Sequence, residues 1–513
     1  MSLNEALTDW APGLAAVVDR FSVVLSLIPG PVWAGVYALW FVGSIVFLLM
    51  QQRAPTATLA WIFGFISLPV VSAFVYFLFG PRKLKRRKLR RALARRMAEQ
   101  AIPDHVVAEP SAFVDESEFS DLAQVAISRG DPSPSRAISV QLYDNGDATY
   151  AAIERAMNEA TVHIHLEYYI FEPDEIGSRW RELLTDKAAT GVEVRILLDA
   201  LGSQGCSPDW WKPLTAAGGQ VRYFNPPRLF KPRPGRLNFR THRKIAIVDG
   251  RVGFTGGINI CRDNSQQQCG PNAWRDTHLR VDGAPTAHLQ TVFLEDWVFA
   301  AERDTTWLIT NRDMADLPPD VDRWFPSFPT STGPWVQIVD SGPDEPSADI
   351  HRFFFTAITR AKKRIWITTP YFVPDEPILT ALSTAAARGL DVRLLIPYEG
   401  DSRFVTAAAS TFATQIAKEG TQVWTFGPGM NHAKTMVIDD EVAIVGTANM
   451  DNRSFRLNFE VVAAIYDRSA NASLAAMFEA DLNRAKRLIP GENDGNFAQR
   501  LLASGARLFA PLL

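Results

Sequence analysis

Cysteine is scarce: the 513 residues hold three, Cys206, Cys261 and Cys269, an odd number with no Cys-x-x-Cys pair. That excludes a disulfide framework and a zinc ribbon, and reduced thiols fit a cytosolic body. Charge is missing from two N-terminal stretches: no Asp, Glu, Lys or Arg lies between Arg20 and Arg53, or from residue 54 to 80. Acid is missing from residues 82–96, which carry ten basic side chains. With that run set aside, 43 basic residues stand against 56 acidic ones, a balance of −13. A protein that tracks nucleic-acid phosphates needs the opposite sign, so no nucleic-acid partner is expected. Neither a P-loop nor a dinucleotide fingerprint occurs, so no nucleotide is expected.

What is present begins with the uncharged stretches. After the Pro29-Gly30-Pro31 turn, residues 32–50 are all apolar or small. At about 1.5 Å per residue they are long enough to cross a bilayer core. A second run covers about 57–79, and the pair reads as a transmembrane hairpin within an N-terminal region, 1–100. Glu5 and Asp9 sit where a cleaved signal peptide needs positive charge. Because basic flanks stay on the cytoplasmic side, the run at 82–96 predicts that both termini and the body between them face the cytoplasm. The same run would attract anionic lipids, by about 1 kcal/mol per basic side chain near the surface.

Residues 101–137 are polar and contain Asp131-Pro132-Ser133-Pro134-Ser135, which reads as a linker. The rest is doubled. Residues 162–171 followed by Pro173-Asp174-Glu175 resemble residues 365–373 followed by Pro374-Asp375-Glu376, and 191–198 resemble 389–396. Apolar β-branched runs alternate with helical patterns, so an α/β unit is used twice, over 138–302 and 336–513, joined by a linker at 303–335.

The sharpest repeat is chemical. His242, Lys244, Asp249, Gly256 and Asn259 recur, each 190 positions later, as His432, Lys434, Asp439, Gly446 and Asn449. On a strand, residues two apart share a face, so each histidine points with its lysine. Two halves packed about a pseudo-twofold axis would bring two imidazoles and two ammonium groups to one pocket suited to a phosphodiester anion. One ring can be a neutral nucleophile while the other is a protonated acid, since imidazole titrates near pH 6.5. The lysines and the amides of Asn259 and Asn449 can hold non-bridging oxygens. No metal is required. A nucleophilic imidazole needs an acceptor on its second nitrogen. Asp276 lies 34 residues after His242 and Glu460 lies 28 after His432, which makes these two the expected partners. Asp249 and Asp439 are read as bracing the strand-turn geometry.

At these residues the chain resembles the phospholipase D superfamily, marked by a duplicated His-x-Lys-(x)4-Asp with a Gly-x-x-Asn element. Within it the chain is similar to bacterial cardiolipin synthases. The likeness takes in Thr56-Ala57-Thr58-Leu59-Ala60-Trp61, the basic run, Tyr371-Phe372-Val373-Pro374-Asp375-Glu376, Asn449-Met450-Asp451-Asn452-Arg453-Ser454 and the closing Pro511-Leu512-Leu513. Thr447 stands where many members have Ser, and either hydroxyl could donate to phosphate. The resemblance implies two phospholipase D-like α/β half-domains related by pseudo-twofold symmetry behind a transmembrane hairpin, in the bacterial inner membrane, without cofactor. It implies transfer of a phosphatidyl group between two phosphatidylglycerol molecules, with His242 as nucleophile and His432 as acid/base. The residues themselves are symmetric on that assignment. Two other readings use the same residues: a hydrolytic membrane phospholipase D or nuclease, and a non-catalytic membrane scaffold.

Overall fold

The computed structural model describes residues 30–51, 55–69, 117–226, 239–301, 321–343 and 349–491, with isolated positions between 71 and 113 and between 501 and 507. The chain divides into two units, Met1–Arg82 and Lys83–Leu513.

The first unit holds two uncharged helices, Gly30–Leu49 and Pro55–Ser67, of 20 and 13 residues. They share a small cluster of Leu48, Phe65 and Tyr76. Trp61 meets Tyr76 edge-on at 4.9 Å, and the Tyr76 hydroxyl donates to Gln51 Oε1 at 3.0 Å. Outward side chains are apolar, with Leu39 78% and Met50 76% exposed. The expected pair of complete spans is not supported by the described residues, among which no helix is long and apolar enough to cross a membrane. Side chains of the first helix are described without a break only over residues 35–49. The second helix covers only about 20 Å at 1.5 Å per residue, and most of residues 70–80 lie outside the described residues. Of the basic run at 82–96 only Arg95 is described; it donates to the Gly130 carbonyl at 3.1 Å.

In the second unit the first half supplies β1 (Ser135–Tyr143), β2 (His163–Tyr168), β3 (Glu193–Asp199), β4 (Gln220–Phe224), β5 (Ile245–Val248), β6 (Val252–Gly256) and β7 (His278–Gly283). The second half supplies β8 (Trp335–Ser341), β9 (Arg364–Thr368), β10 (Phe372–Val373), β11 (Asp391–Pro397), β12 (Gln422–Phe426), β13 (Thr435–Ile438), β14 (Val442–Gly446), β15 (Met450–Asp451), β16 (Glu460–Tyr466) and β17 (Ala485–Arg487). Fifteen of these strands form one sheet in the order β17-β12-β11-β9-β13-β14-β16-β8-β1-β7-β6-β5-β2-β3-β4. Outward from the β1–β8 junction the two halves repeat the same sequence of seven strands, as a twofold axis there requires, and the second half adds β17 at its edge. That junction is narrow, pairing Ser135 with Val336 and Arg136 with Trp335.

Local sequence accounts for the parts. The repeated Pro-Asp-Glu places a helix cap: Asp174 accepts the Gly177 N–H ahead of the helix Glu175–Ala189, and Asp375 does the same for Ile378 ahead of Glu376–Ala387. These helices are the crossovers that parallel pairing of β2 with β3 and of β9 with β11 demands. A core shared by both halves contains Phe224, Trp297 and Phe299 from the first and Trp366, Phe459 and Phe478 from the second. The helix Pro285–Ala300 has nearly every side chain buried, its polar ones included, among them Gln290 and Asp296.

The linkers need adjustment. Within 101–137, the helix Ser120–Ile127 buries Leu122, Ala123 and Ala126 in the second-half core, and β1 has already begun at Ser135. Within 303–335, Trp324 is fully buried; residues 302–320 lie outside the described ones.

Asp249 and Asp439 stand at the turns after β5 and β13, both with positive φ, 53° and 48°. Asp249 accepts the backbone N–H groups of Thr161, Val162 and His163, each at 2.8 Å. Asp439 accepts those of Lys362, Lys363 and Arg364 at 3.0, 2.7 and 3.1 Å. Each carboxylate ties one hairpin to the start of the neighbouring antiparallel strand, β2 or β9, which fixes the strand that follows each histidine. Asp249→Ala or Asp439→Ala should cost about 1–3 kcal/mol through stranded donors, seen as a lower denaturation midpoint. The folded fraction should keep near-native turnover; a loss beyond about 100-fold in folded protein, the scale of a missing transition-state contact, would put these carboxylates in the chemistry instead.

Candidate active site

The strands β5 and β13 start just after His242-Arg243-Lys244 and His432-Ala433-Lys434. Both segments leave their own half to bond the other. Thr241 bridges Phe459 and Arg275 bridges Asn431; the His242 N–H donates to the Phe459 carbonyl at 2.9 Å and the His432 N–H to the Arg275 carbonyl at 2.7 Å. Each histidine is thereby laid beside the residue that follows its bridge partner, Glu460 or Asp276.

The two expected carboxylates pair with the histidines across the halves, each ring taking the carboxylate of the other half. His242 Nδ1 lies 3.0 and 3.1 Å from the two oxygens of Glu460, and His432 Nδ1 lies 2.6 Å from Asp276 Oδ2. Both carboxylates are fully buried. A carboxylate against Nδ1 fixes the Nδ1–H tautomer and leaves Nε2 as the nitrogen for chemistry. Gly256 and Gly446 permit this approach: a Cβ there would lie 2.6 Å from the Thr277 carbonyl or 2.5 Å from the Val461 carbonyl.

Thr447 is placed differently from the expected phosphate contact. Its hydroxyl donates to Glu460 Oε2 at 2.6 Å. Ser454 Oγ and Asn458 Nδ2, which the sequence reading did not single out as site residues, donate to Glu460 Oε1 at 2.8 and 3.2 Å. Asn259 and Asn449 are both buried; Asn259 Oδ1 accepts the Ile170 N–H at 3.3 Å. Tyr169 stands edge-on to His242 at 5.0 Å and Trp274 against His432 at 5.1 Å, one aromatic wall for each ring. Tyr371, at the strand end matching Tyr169, donates to Asp401 at 2.7 Å.

Lys244 donates to the His242 carbonyl at 2.8 Å and Lys434 to the His432 carbonyl, so each ammonium is anchored beside its own imidazole. The halves share one electrostatic pocket, since Lys434 acts on His242 and Lys244 on His432. Burial holds His242 down to about 4 against the pull of Glu460. Burial together with Lys434 holds His432 at about 3, against Asp276. Burial and Lys434 bring Lys244 to about 7; burial brings Lys434 to about 8 against Asp276 and Glu460. Burial pushes Glu460 up, yet His242 and Lys244 outweigh it and leave the carboxyl below its usual range. Two imidazoles that stay neutral near pH 7 thus sit beside ammonium groups that titrate near neutrality. Among the described residues no group of three His, Cys, Asp or Glu side chains is placed to hold a metal ion.

A duplicated α/β unit whose buried histidine–lysine pairs act on one another across the halves is the arrangement of a phospholipase D-like protein. Residues 153–297 and 354–482 match the family described as cardiolipin synthase, PLD-like domain, and residues 36–81 match a phospholipase D-nuclease N-terminal family. The chain is 35% identical to cardiolipin synthase 1 of Bacillus anthracis, over 93% of both chains. It is also 35% identical to the major cardiolipin synthase ClsA of Bacillus subtilis, over 92% of this chain and 96% of that one. Its fold is shared with a phosphatidylserine synthase of Haemophilus influenzae, at a TM-score of 0.56 and 15% identity over 77% of this chain and all of the other. The chain belongs to the cardiolipin synthase family of PLD-like proteins.

The lysine shifts set a pH dependence. An anionic diester raises the pKa of both lysines, so its affinity is fully present below the free-state value of about 7 for Lys244 and is lost as pH rises through 7 and then 8. Dimethyl phosphate keeps one charge across this range; as a competitive inhibitor it should weaken up to about tenfold per pH unit for each proton released. A flat inhibition constant from pH 6 to 9 would contradict the lysine assignment.

Proposed function

We propose that the protein is a cardiolipin synthase that moves a phosphatidyl group from one phosphatidylglycerol to another and releases glycerol. The observation that carries this reading is the pair of crossed imidazole–carboxylate contacts, which prepares two Nε2 atoms at one anion pocket. His242 Nε2 attacks phosphorus and the P–O bond to glycerol breaks. His432, protonated as the anion enters, gives its proton to the departing oxygen. The neutral His432 then takes the proton of a hydroxyl on the second phosphatidylglycerol as that oxygen attacks, and the N–P bond breaks. Lys244, Lys434, Asn259 and Asn449 hold the non-bridging oxygens, where charge reorganises. One diester replaces another, so no energy donor enters.

His242 as nucleophile follows the family pattern; Glu460, with three further donors, is the more firmly held carboxylate and supports a ring that must keep one orientation through two steps. The N-terminal unit, with its uncharged helices and outward apolar side chains, holds the body at the inner membrane as a hairpin, and the basic run at 82–96 keeps both termini cytoplasmic beside anionic lipids. Confinement to that surface concentrates both substrates.

Purified protein on phosphatidylglycerol vesicles should yield cardiolipin and free glycerol in equal amounts on lipid separation. Phosphatidic acid as the sole product would favour the hydrolytic reading, and no turnover the scaffold. His242→Ala and His432→Ala should each lower turnover by at least about 10³-fold; a near-native rate in either would refute the paired mechanism. A periplasmic reporter fused at Leu513 should stay silent, and should gain signal when the basic run is neutralised.

A further inference from the structure

Two arginines hold the corresponding main-chain carbonyl in the two sites, and they do so from non-equivalent positions. Arg243 Nε donates to the main-chain carbonyl of Glu460 at 3.1 Å. Arg275 Nη1 donates to the main-chain carbonyl of Asp276 at 2.6 Å. In each case the carbonyl belongs to the residue whose carboxylate orients an imidazole. Offset by 190 positions, Arg243 corresponds to Ala433. By alignment of Asp276 with Glu460, Arg275 corresponds to Phe459. One site draws its arginine from the histidine strand, the other from the carboxylate strand.

Both guanidinium groups come from the first half, and each pairs with a carboxylate of the second, Asp340 or Asp481. Arg243 is fully buried and paired with Asp296 and Asp340; Asp340 lies on β8. Arg275 is paired with Asp481 at 2.9 Å and also donates to Thr277 Oγ1 at 2.7 Å. Asp481 takes a further bond from Asn431, the neighbour of His432, at 3.2 Å. A buried guanidinium with two carboxylates is tightly located, because any displacement leaves charge unpaired in a low-dielectric core.

We infer that Arg243 and Arg275 are positioning residues that set the two imidazole–carboxylate pairs: Arg243 places Glu460 for His242, and Arg275 places Asp276 for His432. The inference rests on the reading that these imidazoles carry the reaction. It adds that docking of the two halves and alignment of the catalytic rings are one event, since the same guanidinium does both.

The test uses full-length Arg243→Lys and Arg275→Lys on phosphatidylglycerol vesicles, reading total lipid consumed whatever the product. Per folded molecule, kcat should fall roughly 10- to 100-fold, the effect of a misplaced reacting group, with KM nearly unchanged. Each imidazole loses part of the carboxylate that raises its pKa. The acidic limb of the kcat profile should therefore move to lower pH in Arg243→Lys, and the alkaline limb to lower pH in Arg275→Lys. Arg195→Lys is the control, since Arg195 is buried and paired with Glu193 away from both rings; it should lose thermal stability with both limbs fixed. Arg243 and Arg275 variants that behave like this control would overturn the proposal. If the lysine variants do not fold, Asp481→Asn, which frees Arg275 without removing it, should still move the alkaline limb, and a native limb there would overturn it. Lipid consumption without cardiolipin would instead refute the transfer reading and leave the positioning result standing.

Discussion

A carboxylate sealed from water costs several kcal/mol unless positive or donor groups surround it. Glu460 and Asp276 meet that demand in the middle of the molecule. Glu460 faces His242, Thr447, Ser454 and Asn458; Asp276 faces His432 and the Thr277 N–H at 2.7 Å. The surrounding fold can be read as the means of delivering these donors. Strands β7 and β16 present the carboxylates, β5 and β13 present the rings, and the shared aromatic core keeps water out. The lysines are drawn toward neutrality by the same exclusion, which keeps the pocket receptive to an anion and averse to an extra cation.

The two sites are copies that have drifted apart under one constraint. Where the second half has Thr447, the first has Gly257, and a Cβ there would fall 2.0 Å from Asp276 Oδ1. The shorter carboxylate fills the space that a side chain occupies in the other copy, while the longer Glu460 reaches a hydroxyl. Side-chain length at one position and bulk at the other have been exchanged so that both rings keep an acceptor. Asymmetry of this kind is what a reaction with one nucleophile and one acid can exploit, since the rings then need different freedom.

The α/β repeat and the candidate site residues were legible because strand alternation and a fixed offset are local signals. The bracing role of Asp249 and Asp439 could be read from their place after an apolar strand. The crossing of the carboxylates could not: spacing within a half carries no information about which half a side chain will face. The bond from Thr447 to Glu460, 13 residues on in the same half, is one that motif spacing does not reveal. The arginines escaped notice because Arg243 sits between two motif residues and alternates away from the pocket, toward carboxylates 53 and 97 residues distant. Helix Ser120–Ile127 was taken for linker because its few apolar residues acquire meaning only against the second-half core.

Crossed pairing also governs when activity can begin. His242 and Glu460 are 218 residues apart. A ribosome adding about 5–20 residues per second needs roughly ten to forty seconds to travel that far. Through that interval the emerging first half carries an imidazole without its carboxylate, and a carboxylate, Asp276, without its imidazole. A nascent or truncated chain thus holds neither imidazole–carboxylate pair, and both form only when the last strands close over the first.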